Sequence, residues 1–278
     1  MHRIRRSPFL LSAIVVLTAF SVAVPSGAED GGFEASTVEA LTSLARTYEI
    51  EFIATTPTFP VKASYGVING QRADRGTLNR YVRVFAPEFT LYPAEFVKRS
   101  KLKRVVICQK LSFDGQLRNA IPDWENDTLY LDAERGSSNA LYLRKVIHHE
   151  FFHIIDYYDD GNIYQDERWK GLNPAAFNYG RGGRNVQQLA ETSVLVDKFP
   201  GFLNHYSTTG VEEDKAEIFA NLIVDPSHVA VRASKDPVLS AKVSHMKELL
   251  SAFCPQMNDA FWAKAGKLER RDQAPRRD

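Results

Sequence analysis

The chain has 278 residues, with 35 lysines and arginines against 34 aspartates and glutamates and a net charge of +1. So even a balance gives no electrostatic reason to expect a nucleic acid or an anionic membrane surface as partner. Arg3, Arg5 and Arg6 make a basic start, 9–24 is an apolar run without a charge, and Ser26-Gly27-Ala28 offers small residues before Glu29-Asp30. This three-part pattern predicts a secretory signal peptide over 1–28. The apolar run falls short of a membrane span, and no later run is apolar enough to cross one. Cleavage after Ala28 implies an exported protein (periplasmic, extracellular or at the cell surface) with no membrane partner afterwards, and loss of three arginines takes the charge from +1 to −2. In an oxidising compartment Cys108 and Cys254 could pair; the other reading is two separate buried thiols.

What remains is long enough for a substantial core. It reads as a single domain over 29–266, with an N-terminal α/β part at 29–135 and a mainly helical part at 136–266. Residues 36–48 predict a helix, with Val38, Leu41, Leu44 and Ala45 on one face. A short strand is expected at 65–70 and a second helix at 77–85, which Pro87 should close. Pro93 opens another short helix. Residues 104–108 and 128–132 read as strands, the second alternating at period two. It is the candidate sheet edge for an added substrate strand, with an interior strand as the equal alternative. The stretch 159–185 is polar, aromatic and glycine-rich, and too long for a simple connector. Helical periodicity returns near 186–196, 212–223, 236–253 and 257–265. Residues 267–278 are charged and expected to be disordered.

The chemistry concentrates in His148-His149-Glu150-Phe151-Phe152-His153. His149 and His153, four apart, share one face of a helix starting near 138–139 and are spaced to grip one Zn²⁺. Glu150 beside them can reach a water at that metal. The surroundings are apolar, and three histidines and a glutamate would be costly there without a partner. A catalytic zinc needs a third protein ligand. No histidine stands six residues beyond His153, so a carboxylate on a later helix is expected, from Glu191, Glu212, Glu213 or Glu217. His148 points about 100° away round the helix and suits packing, while His205 is a neighbour of the cleft.

The segment from His205 to Ala220, HYSTTGVEEDKAEIFA, resembles the matching stretch of the anthrax lethal factor family of zinc metallopeptidases. That family carries a tyrosine, a glutamate ligand seven residues later and then an Ala-Glu pair, as in Tyr206, Glu213 and Ala216-Glu217. The acidic and aromatic residues after the histidine motif (Asp156, Tyr157, Tyr158) fit the same style. Phe152 and Lys215 depart from it, standing where glycine and phenylalanine are frequent. The resemblance spans roughly 105–250 and implies an α+β, zincin-like fold: a small mixed sheet packed on an active-site helix with a mostly helical C-terminal part. It also implies Glu213 as third ligand and Tyr206 as a hydroxyl lining the site; from the residues alone, Glu191 remains the runner-up ligand. Glu217, one turn after Glu213, is placed to orient a ligand histidine.

These residues predict a secreted zinc endopeptidase acting on a protein or peptide, with one Zn²⁺ on His149, His153 and Glu213, Glu150 as general base and Tyr206 as oxyanion donor. The alternatives are a zinc-binding or interaction protein of the same fold without turnover, and an interaction protein in which the motif is accidental.

Overall fold

The computed structural model describes residues 33–161, 163–180 and 194–270. The expected leader, Glu191 and most of the helical stretch expected at 186–196 lie outside these residues. The described part is α+β, a small mixed sheet with helices before and after it.

Helix α1 (Ala35–Tyr48) buries Leu41, Leu44, Ala45 and Tyr48 along one stripe. Strands β1 (Glu51–Ile53), β2 (Val61–Ala63) and β3 (Gly66–Gln71) follow. Helix α2 (Arg75–Phe89) starts where Asp74 accepts from the Thr77 amide, 2.9 Å. It does not end at Pro87, as its sequence suggests, but runs on to Phe89. Phe85 and Phe89 stack at 5.1 Å in the core, and a proline so near the end forfeits a single backbone bond. Packing outweighs that loss. Helix α3 (Ala94–Arg99) then leads into the sheet.

The spine of the sheet is β4 (Arg104–Phe113), longer than the five residues expected. Its first half lies parallel to β1 and to β7 (Thr128–Asp132); its second half lies antiparallel to β3 and to β5 (Gln116–Leu117). Side chains alternate across it as strand geometry requires. Val105 and Ile107 enter the main core, whereas Val106 and Cys108 join a smaller cluster with Ile68, Leu111, Ile121 and Tyr130 on the other face. Strand β7 is buried at all five positions and flanked on both sides, by β4 and by β6 (Ala120–Asp123). The candidate edge at 128–132 is therefore an interior strand, and β6 forms that border of the sheet. A sequence that alternates cleanly does not distinguish the two cases when both faces are covered.

Behind the sheet lies α4 (Ala140–Asp159), capped by Asn139 accepting from the Tyr142 amide at 3.0 Å. It carries the histidines. Phe89, Tyr92 and Phe96 surround Phe151 with ring centroids at 5.2, 5.0 and 6.1 Å. Short α5 (Glu167–Lys170) follows, then α6 (Val211–Val224), buried along its whole length. Around α6 pack α7 (Pro226–Ala233), unforeseen in the sequence, α8 (Pro237–Phe253) and α9 (Asp259–Gly266).

One open alternative is decided, in favour of two separate thiols, and one expectation changes. Cys108 and Cys254 are both buried and unpaired, on different sides of the sheet: one in the smaller cluster, the other in the main core. The start of the expected disordered tail is also ordered. Leu268 packs on the core, and the Arg270 guanidinium donates to Glu88 at 2.9 and 2.8 Å. A buried carboxylate on α2 gives that charged residue a reason to fold back.

Candidate metal centre

Helices α4 and α6 lie against each other, and their facing sides bring His149, His153 and Glu213 together. The first two come from adjacent turns of α4; Glu213 comes from the first turn of α6. His149 Nε2 is 3.0 Å from Glu213 Oε2, His153 Nε2 is 3.2 Å from His149 Nε2, and His153 Nε2 is 3.6 Å from Glu213 Oε2. All three residues are buried. A tetrahedral ion with bonds of about 2.1 Å would hold its donors about 3.4 Å apart, close to these three edges. The triangle fits a zinc ion.

The candidate carboxylates separate cleanly. Glu213 joins the histidines. Glu217 meets His149 from the other side, with Oε1 3.1 Å from Nδ1. Glu212 lines the cleft without joining the cluster. Tyr206 donates its hydroxyl to Glu213 Oε1 at 2.7 Å, which leaves Oε2 as the oxygen facing both histidines. His148 turns away, as expected. Its Nδ1 is 2.6 Å from the Tyr92 hydroxyl and its Nε2 3.0 Å from Glu88, a pairing that anchors the back of α4. His205 is exposed and stacks on Phe199.

Charge explains the titration of the group. Burial disfavours a proton on His149, but Glu213 and Glu217 outweigh it and push its pKa up to about 10. His153 is raised in the same way, mainly by Glu213 against burial. Burial would lift Glu213, yet the two imidazoles hold it well below the usual carboxylate range. Glu217 is held at about 2 against burial, by Lys145 and His149. Glu150 goes the other way, its carboxyl raised by burial despite the two histidines nearby. A group of this kind retains protons until a cation replaces them.

Glu150, His153, Glu213 and Tyr206 open into a cleft of about 870 Å³. One wall is β6 with Trp124, Tyr65 and Phe113; the other holds Tyr164, Phe177 and Tyr179 from the long aromatic stretch. The Asp132 amide donates to the Asn119 carbonyl at 2.8 Å. In the antiparallel register this turns the backbone groups of Ala120 and Pro122 away from β7, towards the outer edge. The polar aromatic stretch is held down by Asp214, whose Oδ2 accepts from Trp169 Nε1 (2.8 Å), the Tyr179 hydroxyl (2.6 Å) and Lys242 Nζ (2.7 Å).

The two departures from the lethal factor pattern have partners. Phe152 is fully buried and lies 5.0 Å from the Phe219 ring on α6. Lys215 is buried in ion pairs with Asp156 and, at 3.0 Å, Asp166. Sequence reasoning missed the surroundings of Glu217. Its Oε2 lies 3.1 Å from Lys145 Nζ and 2.7 Å from Asn204 Nδ2. The available signal was Lys145 itself, one turn before His149 on an apolar helix.

No family model matches the chain, and no curated protein matches it. Among solved structures, it is similar to a "putative zinc-binding metallo-peptidase" from Bacteroides caccae, at 14% identity with a TM-score of 0.49, over 88% of this chain and 97% of that one.

Proposed function

We propose that the protein is an exported zinc metallopeptidase of zincin-like fold that hydrolyses a peptide bond in an extended substrate. The observation that carries this reading is the triangle of His149, His153 and Glu213, with Glu150 beside it at the floor of an open cleft. The donor set of two imidazoles and one carboxylate suits one Zn²⁺ in a catalytic rather than a closed structural site. A zinc ion held there would supply an activated water near neutral pH and polarise the scissile carbonyl.

The chain's own groups do the rest. Glu150, raised by burial, accepts a proton from the attacking water and returns it to the leaving amine. Glu217 Oε1, 3.1 Å from His149 Nδ1, favours the ring proton there, so that Nε2 presents its lone pair. The Tyr206 hydroxyl is at the rim of the site and offers a donor for the developing oxyanion. The substrate would lie along β6, where Ala120 offers an outward N–H and C=O and Pro122 a carbonyl alone.

The deciding experiment compares the wild type with Glu150→Gln. The variant should bind zinc as the wild type does and cleave a peptide library at less than about one hundredth of its rate, since general base catalysis is worth about 10²–10⁴-fold. Undiminished cleavage would remove Glu150 from the mechanism. A wild type that binds zinc and cleaves nothing would point to the binding protein without turnover. The export reading is checked separately: the mature protein should begin at Glu29.

A further inference from the structure

We propose that Lys145 is a positioning residue of the metal centre, acting through Glu217 to fix the ring and tautomer of His149. The inference rests on His149 being a metal ligand. Lys145 stands one turn before His149 on α4 and is 8% exposed. Its Nζ is 3.1 Å from Glu217 Oε2. Asn204 Nδ2 donates to the same oxygen at 2.7 Å and Asn221 Nδ2 at 3.3 Å. The two carboxylate oxygens thus have separate partners. Three donors hold Oε2, and Oε1 is left 3.1 Å from His149 Nδ1.

That division has two consequences. The donors on Oε2 set the plane of the carboxylate, so Oε1 is held at ion-pair distance, 3.1 Å, from His149 Nδ1, a contact not aligned as a hydrogen bond. A carboxylate at that distance favours the ring proton on Nδ1, which leaves Nε2 to coordinate, and Nε2 faces His153 and Glu213. Charge is the second consequence. Lys145 is the charged partner of Glu217 Oε2, beside two neutral amide donors. Without Lys145 a buried carboxylate next to the ligand ring would lose its charged compensation on that side. The other buried lysines differ. Lys215 pairs with Asp156 and Asp166, and Lys242 with Asp214, and none of these carboxylates is paired with a ligand ring. Among these lysines, Lys145 alone pairs with a carboxylate that also contacts a ligand.

The test reads metal binding, not hydrolysis, and so stands apart from the peptidase reading. Metal-free wild type, Lys145→Met, Lys145→Arg, Glu217→Gln and the double variant Lys145→Met/Glu217→Gln are titrated with Zn²⁺ against a chromophoric chelator. They are then titrated with Co²⁺, whose visible absorption reports ligand geometry. Thermal midpoints of the metal-free proteins show which variants are folded. Lys145→Met should weaken zinc binding by about 10–100-fold, the range for partners of a ligand histidine, and should alter the cobalt band. Lys145→Arg should stay within about threefold of the wild type, because it restores the charge and the donor. Added to Glu217→Gln, Lys145→Met should cost less than about threefold more, since its route to the metal is already cut. If Lys145→Met does not fold, Lys145→Gln is read in its place. Binding within threefold of the wild type, or an effect that adds in full to that of Glu217→Gln, would overturn the proposal. Failure of the wild type to bind zinc would overturn both it and the metal centre beneath it.

Discussion

At the scale of single residues, the candidate site is first a charge problem. His149 lies between two carboxylates, with Nε2 3.0 Å from Glu213 and Nδ1 3.1 Å from Glu217, and its pKa rises to about 10. That rise favours the protonated ring in the metal-free protein, and a metal bound at Nε2 would displace the proton there. Zinc uptake at pH 7.5 should release protons from the raised histidines, and affinity should climb with pH. Titration calorimetry in buffers of different ionisation enthalpy measures this directly; a heat independent of buffer would refute it. In the metal-free fold the same raised histidine stabilises fully below its ordinary pKa of 6.5, and that contribution fades as pH rises through 10. Tyr206 poses a different question. Its hydroxyl rests on Glu213 Oε1 at 2.7 Å, so it could serve the ligand, the oxyanion or both. Tyr206→Phe should lower kcat by about 10²-fold or more if the hydroxyl serves the oxyanion, while zinc affinity changes by less than about tenfold. A parallel fall in both would assign the hydroxyl to Glu213 alone.

At the scale of elements, α4 is fixed from behind by a network reaching from α2 to the chain's C-terminal side. Glu88 takes Arg144 at 3.0 Å, His148 at 3.0 Å and Arg270 at 2.8 Å, all of them buried. Burial would raise the Glu88 carboxyl, but His148 and Arg270 bring it down to about 2. Arg270→Ala should destabilise the fold by about 3 kcal/mol at pH 5, because part of a buried carboxylate's compensation is gone. A depressed carboxylate stabilises above its unfolded pKa, here 4.5, and loses that as pH falls towards 2. The gap between wild type and Arg270→Ala should accordingly narrow at pH 3; urea unfolding at the two values tests it, and a constant gap would remove Glu88 from the account. No periodicity in the sequence signals this network, since it joins residues 182 apart. The metal helix itself was legible, because its cap, its apolar flanks and its motif all lie within some twenty residues. The end of α2 was not, since stacking of Phe85 on Phe89 overrides Pro87. Nor was the interior place of β7, which depends on what covers its second face and far side.

At the scale of the whole molecule, the sheet and the aromatic core hold α4 and α6 at one separation, and that separation is the site. His149 and Glu213 are 64 residues apart in the chain and 3.0 Å apart in space. The pairing of motif and distant carboxylate was readable only through the family-like spacing of Tyr206, Glu213 and Glu217. Geometry then separates Glu213 from Glu212 and Glu217, which composition could not. Because His149, His153 and Glu213 converge only in the folded chain, a metal held by them would bind the native state far better than the unfolded one. Zinc should then act as a crosslink between the two helices. At free zinc about 100 times the dissociation constant, linkage adds about 2.7 kcal/mol of stability. For a chain of this size that is a rise of roughly 5–10 °C in Tm, reversed by a chelator and restored by added zinc. Glu213→Gln should lose most of this rise, since it removes the anionic donor on α6. His148→Gln, which disturbs the back of α4 without touching the metal face, should lower the metal-free Tm and keep the zinc-dependent increment. If zinc raised the Tm of Glu213→Gln as much as that of the wild type, the ion would be bound somewhere other than between α4 and α6.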